Sequence, residues 1–215
     1  MQKDTAQRPI AYWLVVIPGL VLFTGGLLFL LVLGGHMRLS GDDYCYNAVL
    51  AQKGFLGMQT HSFCEVSMYN GNRFSLTLLS GFFGLFPIRG SFLLIAASLL
   101  TWLAGIVVLL RQVLLRFKRN LSFVESLLAA EVFASFVLWS APSLEQSFFW
   151  RSGMLPYFAP LVVGTWILVL VFRVGEQSNR RWLLSFMILF ISIVVGGFSE
   201  TGAAFWFGFW ALCFF

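Results

Sequence analysis

Long apolar runs separated by short polar stretches set the pattern of this chain. They fall near residues 10–34, 91–110, 123–141, 157–173 and 182–198, and a further one begins near 203. Several approach or exceed the roughly 20 residues that a helix needs to cross a bilayer, and none alternates with the period of two that marks a membrane β-barrel. The pattern predicts an all-α, polytopic transmembrane helical bundle, with residues 1–215 forming one transmembrane domain. The run 74–88, FSLTLLSGFFGLFPI, fits less well, because it is short, contains Gly81 and Gly84 and ends near Pro87. It reads as a short span, a re-entrant segment or a helix at the interface.

The polar stretches orient the bundle. Basic residues sit in the N-terminal segment (Lys3, Arg8), in RQVLLRFKRN (Arg111, Arg116, Lys118, Arg119) and in RVGEQSNRR (Arg173, Arg180, Arg181). Positive residues concentrate on the cytoplasmic side, which sets the N-terminus inside and requires residues 74–110 to cross an odd number of times. The favoured solution is one crossing by the 91–110 run, with 74–88 not crossing. The loops 35–73 and 142–156 and the turn GGFSET then emerge together on the outer face, carrying Asp42, Asp43, Glu65, Glu145 and Glu200 with Arg38, Arg73 and Arg151.

Composition narrows the class. With 59% hydrophobic and 11% charged residues and a mean hydropathy of +0.86, the chain is no soluble domain, in which charged residues make up about a quarter. The net charge of +5 does not point to nucleic acid, since the basic residues form short runs between apolar segments rather than one surface. The N-terminal apolar run is too long for a signal-peptide core and reads as a retained first span. At the other end, FWFGFWALCFF stops within an apolar run, the mark of the N-terminal part of a longer module. Cys45, Cys64 and Cys213 are too scattered for a disulfide framework, which leaves only a Cys45–Cys64 pairing open.

The candidate chemistry lies in the outer segments. In RLSGDDYCYN, Ser40 followed by Asp43 fits a capping box, and DDYCYNAVLAQKGF fits a short juxtamembrane helix. Capping accounts for one aspartate; the other is a candidate to face a substrate, because two adjacent carboxylates beside a low-dielectric membrane repel unless offset. Arg73, in MYNGNRFS, either snorkels at the interface or holds a carboxylate or phosphate. Arg151 lies among Phe148, Phe149, Trp150 and Tyr157, residues that an aromatic belt also explains, and is a candidate for a lipid phosphate. Glu200, between strongly apolar segments, reads as a cap or a functional carboxylate, whereas Glu131 within the 123–141 run reads as structural. His36 and His61 stand alone without zinc-ligand spacing, and a divalent cation on carboxylates stays open. No nucleotide-binding glycine loop is present, so an outer-face transferase would need a donor already activated within the membrane, such as a sugar on a polyprenyl phosphate.

In order, GDDYCY, YNGNRFS, WRSGMLPYFAP and GGFSET resemble the motifs of GT-C-type membrane glycosyltransferase-like proteins, nearest to an uncharacterised bacterial branch. The resemblance implies a GT-C-like fold whose first outer loop carries juxtamembrane helices, and an enzyme of the bacterial cytoplasmic membrane that transfers a sugar from a polyprenyl-phosphate donor to an outer-face acceptor. It implies Asp42 or Asp43 as the catalytic base, Asn70, Arg73, Arg151 and Tyr157 near donor or acceptor, and Glu200 as a second site carboxylate. The family normally has more spans than this chain provides, so an inactive fragment is one expectation. A transporter or flippase segment and a non-catalytic membrane subunit are the competing expectations.

Overall fold

The computed structural model describes residues 9–65, 73–86, 90–174 and 181–214, and the described residues are helical with no strand. The helices are α1 (Ile10–His36), α2 (Asp42–Thr60), α3 (Phe74–Gly84), α4 (Gly90–Arg116), α5 (Phe123–Trp139), α6 (Arg151–Tyr157), α7 (Ala159–Val174), α8 (Arg181–Gly196) and α9 (Glu200–Phe214). A π-helical turn at His61–Glu65 continues α2, and another at Glu145–Phe149 precedes α6.

Local sequence explains where these helices start, break and stop. Ser122 and Glu125 form a full capping box at the start of α5, the hydroxyl accepting from Glu125 N at 3.2 Å and the carboxylate from Ser122 N at 2.7 Å. The helix α2 kinks at Gly54, whose φ of 70° is a left-handed conformation that suits glycine, so the predicted short helix ends almost where its sequence suggested. Pro156 and Pro160 bracket the break between α6 and α7, since neither supplies a backbone N–H to the helical ladder.

Side-chain contacts give the helix directions. Gly19 lies against Leu128 and Thr24 bonds Glu131, so α1 and α5 run parallel. Gly34 and Gly35 meet Ile95 and Phe92, so α4 runs back antiparallel to α1. Gly105 of α4 lies against Thr165 and Trp166, and Arg116 donates to Phe172 O at 2.9 Å, which makes α4 and α7 parallel. One end of the bundle therefore gathers the last turn of α1, α2, the first turns of α4 and α6, and the junction of α8 with α9. The opposite end carries Arg111, Arg116, Lys118, Arg119, Arg173 and Arg181.

The helix α3 belongs wholly to the first end. Its 11 residues span only about 16 Å. Ser75 N donates to Gly197 O at 2.9 Å where α3 begins, and Gly84 where it ends lies against Leu50 of α2. Helix α3 does not run the length of the bundle.

The core is built of Leu30, Leu94, Leu99, Trp102, Phe148 and Phe158 among others, with Ala130 and Ala134 allowing close packing. Outside it, α1 exposes Leu14, Val15, Val21, Leu22, Phe29 and Val32, and α8 exposes Phe186, Leu189, Phe190 and Ile193. Apolar side chains on this scale face outward when the solvent is lipid. Among the described residues, three helical stretches are long and apolar enough to cross a membrane: Ile10–His36, Ser91–Arg116, and Arg151–Val174, which joins α6 to α7. The other expected spans also form helices, but α5 has 17 residues, α8 has 16 and α9 has 15, below the usual crossing length.

Candidate functional site

Asp43 and Arg151, 108 residues apart, meet at the end of the bundle remote from the basic residues. Each side chain is almost wholly enclosed, at 1% and 0% exposure, and Arg151 Nε lies 3.4 Å from Asp43 Oδ1. Ser152 adds two donors to that oxygen, its backbone N at 3.0 Å and its hydroxyl at short range. The guanidinium also donates through Nη2 to Asn47 Oδ1 at 2.8 Å, one turn along α2 from Asp43. A buried ion pair survives only when further hydrogen bonds offset the lost hydration; Ser152 and Ser40 supply them to Asp43, whereas Arg151 has them through Nη2 alone, its Nε and Nη1 being buried without a hydrogen-bond partner.

This arrangement revises the expected capping. Gly41, with φ at 48°, occupies the N-cap of α2 and makes no side-chain cap, so Ser40 and Asp43 do not form a capping box through the serine hydroxyl. Only the reverse half exists: Asp43 Oδ2 accepts from Ser40 N at 3.3 Å. The remaining oxygen satisfies a backbone N–H in the first turn of α6, a donor that helix geometry leaves without an internal partner. Asp43 thus serves the start of a helix far along the chain as well as its own. Trp150 holds the same junction from outside, donating through Nε1 to Ser40 O at 2.8 Å while its ring packs against Gly41.

Asp42 points the other way. It is exposed and lines a cavity of about 340 Å³ whose polar side also holds His61, Arg73 and Ser152. Val49, Met58 and Leu76 form part of its apolar side. Lys53 Nζ lies 2.8 Å from His61 Nδ1. Arg73 reaches Glu200, with Nη2 at 2.9 Å and Nε at 3.2 Å from Oε2, and thereby ties the rim of the cavity to the first residue of α9. Below that pair, the Ser75 hydroxyl donates to Val194 O at 2.7 Å, fixing α3 on α8.

The predicted residues therefore separate into groups. Asp42 and Arg73 share the cavity, Glu200 joins it through Arg73, and Asp43 and Arg151 form the packed support beneath. Tyr157 is exposed at the end of α6, beside a smaller hollow between α7 and α9 rather than the Asp42 cavity. Asn70 lies outside the described residues. Sequence reading assigned no role to Ser152, Asn47 or the cavity position of His61. The signal for Ser152 was the glycine beside it, because a Cβ on Gly153 would run into Gln146 O and the turn needs that close approach.

Cys45 and Cys64 are both exposed and unpaired, so the pairing left open by the sequence does not form. Among the described residues no three His, Cys, Asp or Glu side chains gather as metal ligands, and the donor set at the cavity does not fit a carboxylate cage for a divalent cation. Comparison with protein-family models, curated proteins and solved structures returns no match of any kind.

Proposed function

We propose that this protein is a GT-C-like membrane glycosyltransferase, or part of one, that moves a sugar from a polyprenyl-phosphate carrier to an acceptor hydroxyl in the Asp42 cavity. The observation that carries this reading is that an exposed carboxylate, Asp42, and a guanidinium, Arg73, line one cavity at the end of an apolar bundle. Its polar and apolar walls suit a substrate that is sugar at one end and lipid at the other.

In the proposed step, Asp42 removes the acceptor's hydroxyl proton as that oxygen attacks the anomeric carbon. The new carbon–oxygen bond forms while the bond to the phosphate oxygen breaks, with inversion at carbon, and the electron pair leaves on the phosphate. Arg73 stabilises that developing charge, with Glu200 orienting its guanidinium. Asp43 and Arg151 are positioning residues, since neither is open to a ligand; they lock α2 to α6 and so set the direction of Asp42.

The proposed location is the bacterial cytoplasmic membrane, N-terminus inside and cavity on the outer face at the level of juxtamembrane helices α2 and α3. The gathering of basic residues at the opposite end of the bundle supports that orientation. The test uses the full-length protein in vesicles, with polyprenyl-phosphate hexoses as donors, envelope extract as acceptor source and release of free polyprenyl phosphate as readout. Asp42→Asn is expected to lower release by about 100-fold or more without loss of folded protein. Undiminished release from Asp42→Asn would remove the proposed base, and donor crossing the membrane without release would replace the transferase with a carrier.

A further inference from the structure

A second polar feature lies far from the Asp42 cavity, midway along the bundle. Glu131 in α5 is 4% exposed, and its Oε1 accepts from the Thr24 hydroxyl of α1 at 2.7 Å. Its other oxygen, Oε2, is buried and has no hydrogen-bond partner. Both residues line a groove of about 410 Å³ between α1, α4 and α5, walled otherwise by side chains such as Leu27, Leu100, Leu103 and Leu127. The groove extends to both sides of Glu131, towards Leu31 and Leu99 at one end and towards Phe123 and Val108 at the other.

A buried carboxyl oxygen without a partner costs free energy whether it is ionised and lacks a donor or protonated and lacks an acceptor. Phospholipid acyl chains would cover the apolar walls yet leave that oxygen as it is. A hydroxyl meets either need, because it donates to a carboxylate and accepts from a carboxylic acid. Water could meet it too, with Thr24 and Glu131 as its polar partners, but it would leave the leucine walls uncovered, whereas an amphiphile covers those walls and reaches the carboxyl group at once. We propose that this groove is a binding site for a single-chain, hydroxyl-bearing amphiphile, its alkyl chain along the leucine walls and its hydroxyl on the Glu131 carboxyl group, whose Oε2 turns into the groove to meet it. The site is independent of the glycosyl-transfer reading and would stand if that reading failed.

The test compares a long-chain primary alcohol carrying a photoreactive diazirine with its methyl ether of equal length, both presented to the full-length protein in vesicles. The alcohol is expected to label peptides of α1, α4 and α5 about 3- to 10-fold more strongly than the ether, the range for one hydrogen bond. Glu131→Leu should erase that preference while leaving the protein folded, since it fills the site with an apolar side chain of similar reach. Ala104→Phe, on the groove's exposed rim, should reduce labelling by both probes. Equal labelling by alcohol and ether in the native protein, or a preference unchanged in Glu131→Leu, overturns the proposal.

Discussion

Removing the carboxylate of Asp43 tests the packed support beneath the cavity. In Asp43→Ala, the Arg151 guanidinium stays enclosed with its partner at 3.4 Å gone and only Asn47 left as a side-chain acceptor. The change also strands Ser152 N, the Ser152 hydroxyl and Ser40 N, the three donors that the carboxylate satisfied. At an effective dielectric of about 20, charges at this separation attract by roughly 5 kcal/mol before desolvation is counted. Breaking a buried pair by removing one partner costs about 3–5 kcal/mol, because the other charge is left uncompensated. The lower figure already shifts the folding equilibrium more than a hundredfold.

The decisive comparison adds Arg151→Met. A single charge left alone is worse than none, so the double variant should be more stable than Asp43→Ala by about 1–3 kcal/mol, a coupling of the usual size for contacting residues. Equilibrium unfolding of detergent-solubilised protein, followed by far-ultraviolet circular dichroism, measures each corner of the cycle. If Asp43→Ala costs under about 1 kcal/mol, or the two changes simply add, the pair is hydrated and the support proposed for α2 and α6 does not exist.

Two further outcomes follow from close packing and from exposure. A Cβ on Gly164 would run into the Trp206 ring, so Gly164→Ala should destabilise the protein by about 1–3 kcal/mol in the same unfolding assay, and Trp206→Leu in the same chain should restore part of that loss. Cys45 and Cys64 are exposed thiols, so both should be alkylated without prior reduction, and a membrane-impermeant maleimide should reach them from outside intact cells; modification only after the cells are opened would refute the proposed orientation.

Much of the architecture was written into the order of apolar and polar residues, because lipid removes the usual competition for backbone hydrogen bonds. An apolar run long enough to cross must become a helix, and α1, α4 and α7 follow from that alone, whereas α6 forms within the 142–156 stretch that reads as a loop in the sequence. The basic linkers and the brevity of the 74–88 run together implied that this run does not cross, and α3 keeps to one end of the bundle for the same reason of length. The meeting of Asp42, Asp43, Arg73, Arg151 and Glu200 at one end was likewise legible, since helix direction alone decides which loops share an end.

Which aspartate does what was not legible. Asp42 and Asp43 are neighbours of the same chemistry, and the helix turns them in different directions, so only the position of α6 against α2 determines that Asp43 is enclosed and Asp42 open. The capping expectation failed for a related reason: Ser40–Asp43 and Ser122–Glu125 carry the same spacing, and the second closes as a full capping box, but a neighbouring helix offered Asp43 an arginine and two serine donors. Glu131 shows the limit most plainly. The sequence by itself determined that a carboxylate would lie inside an apolar helix; only the packing of α1 and α4 around α5 decided that one oxygen finds Thr24, the other finds nothing, and a groove opens beside it. Hydrophobic length is a property of a segment, whereas hydrogen-bond satisfaction belongs to pairs of atoms brought together from distant segments, and only tertiary structure supplies those pairs.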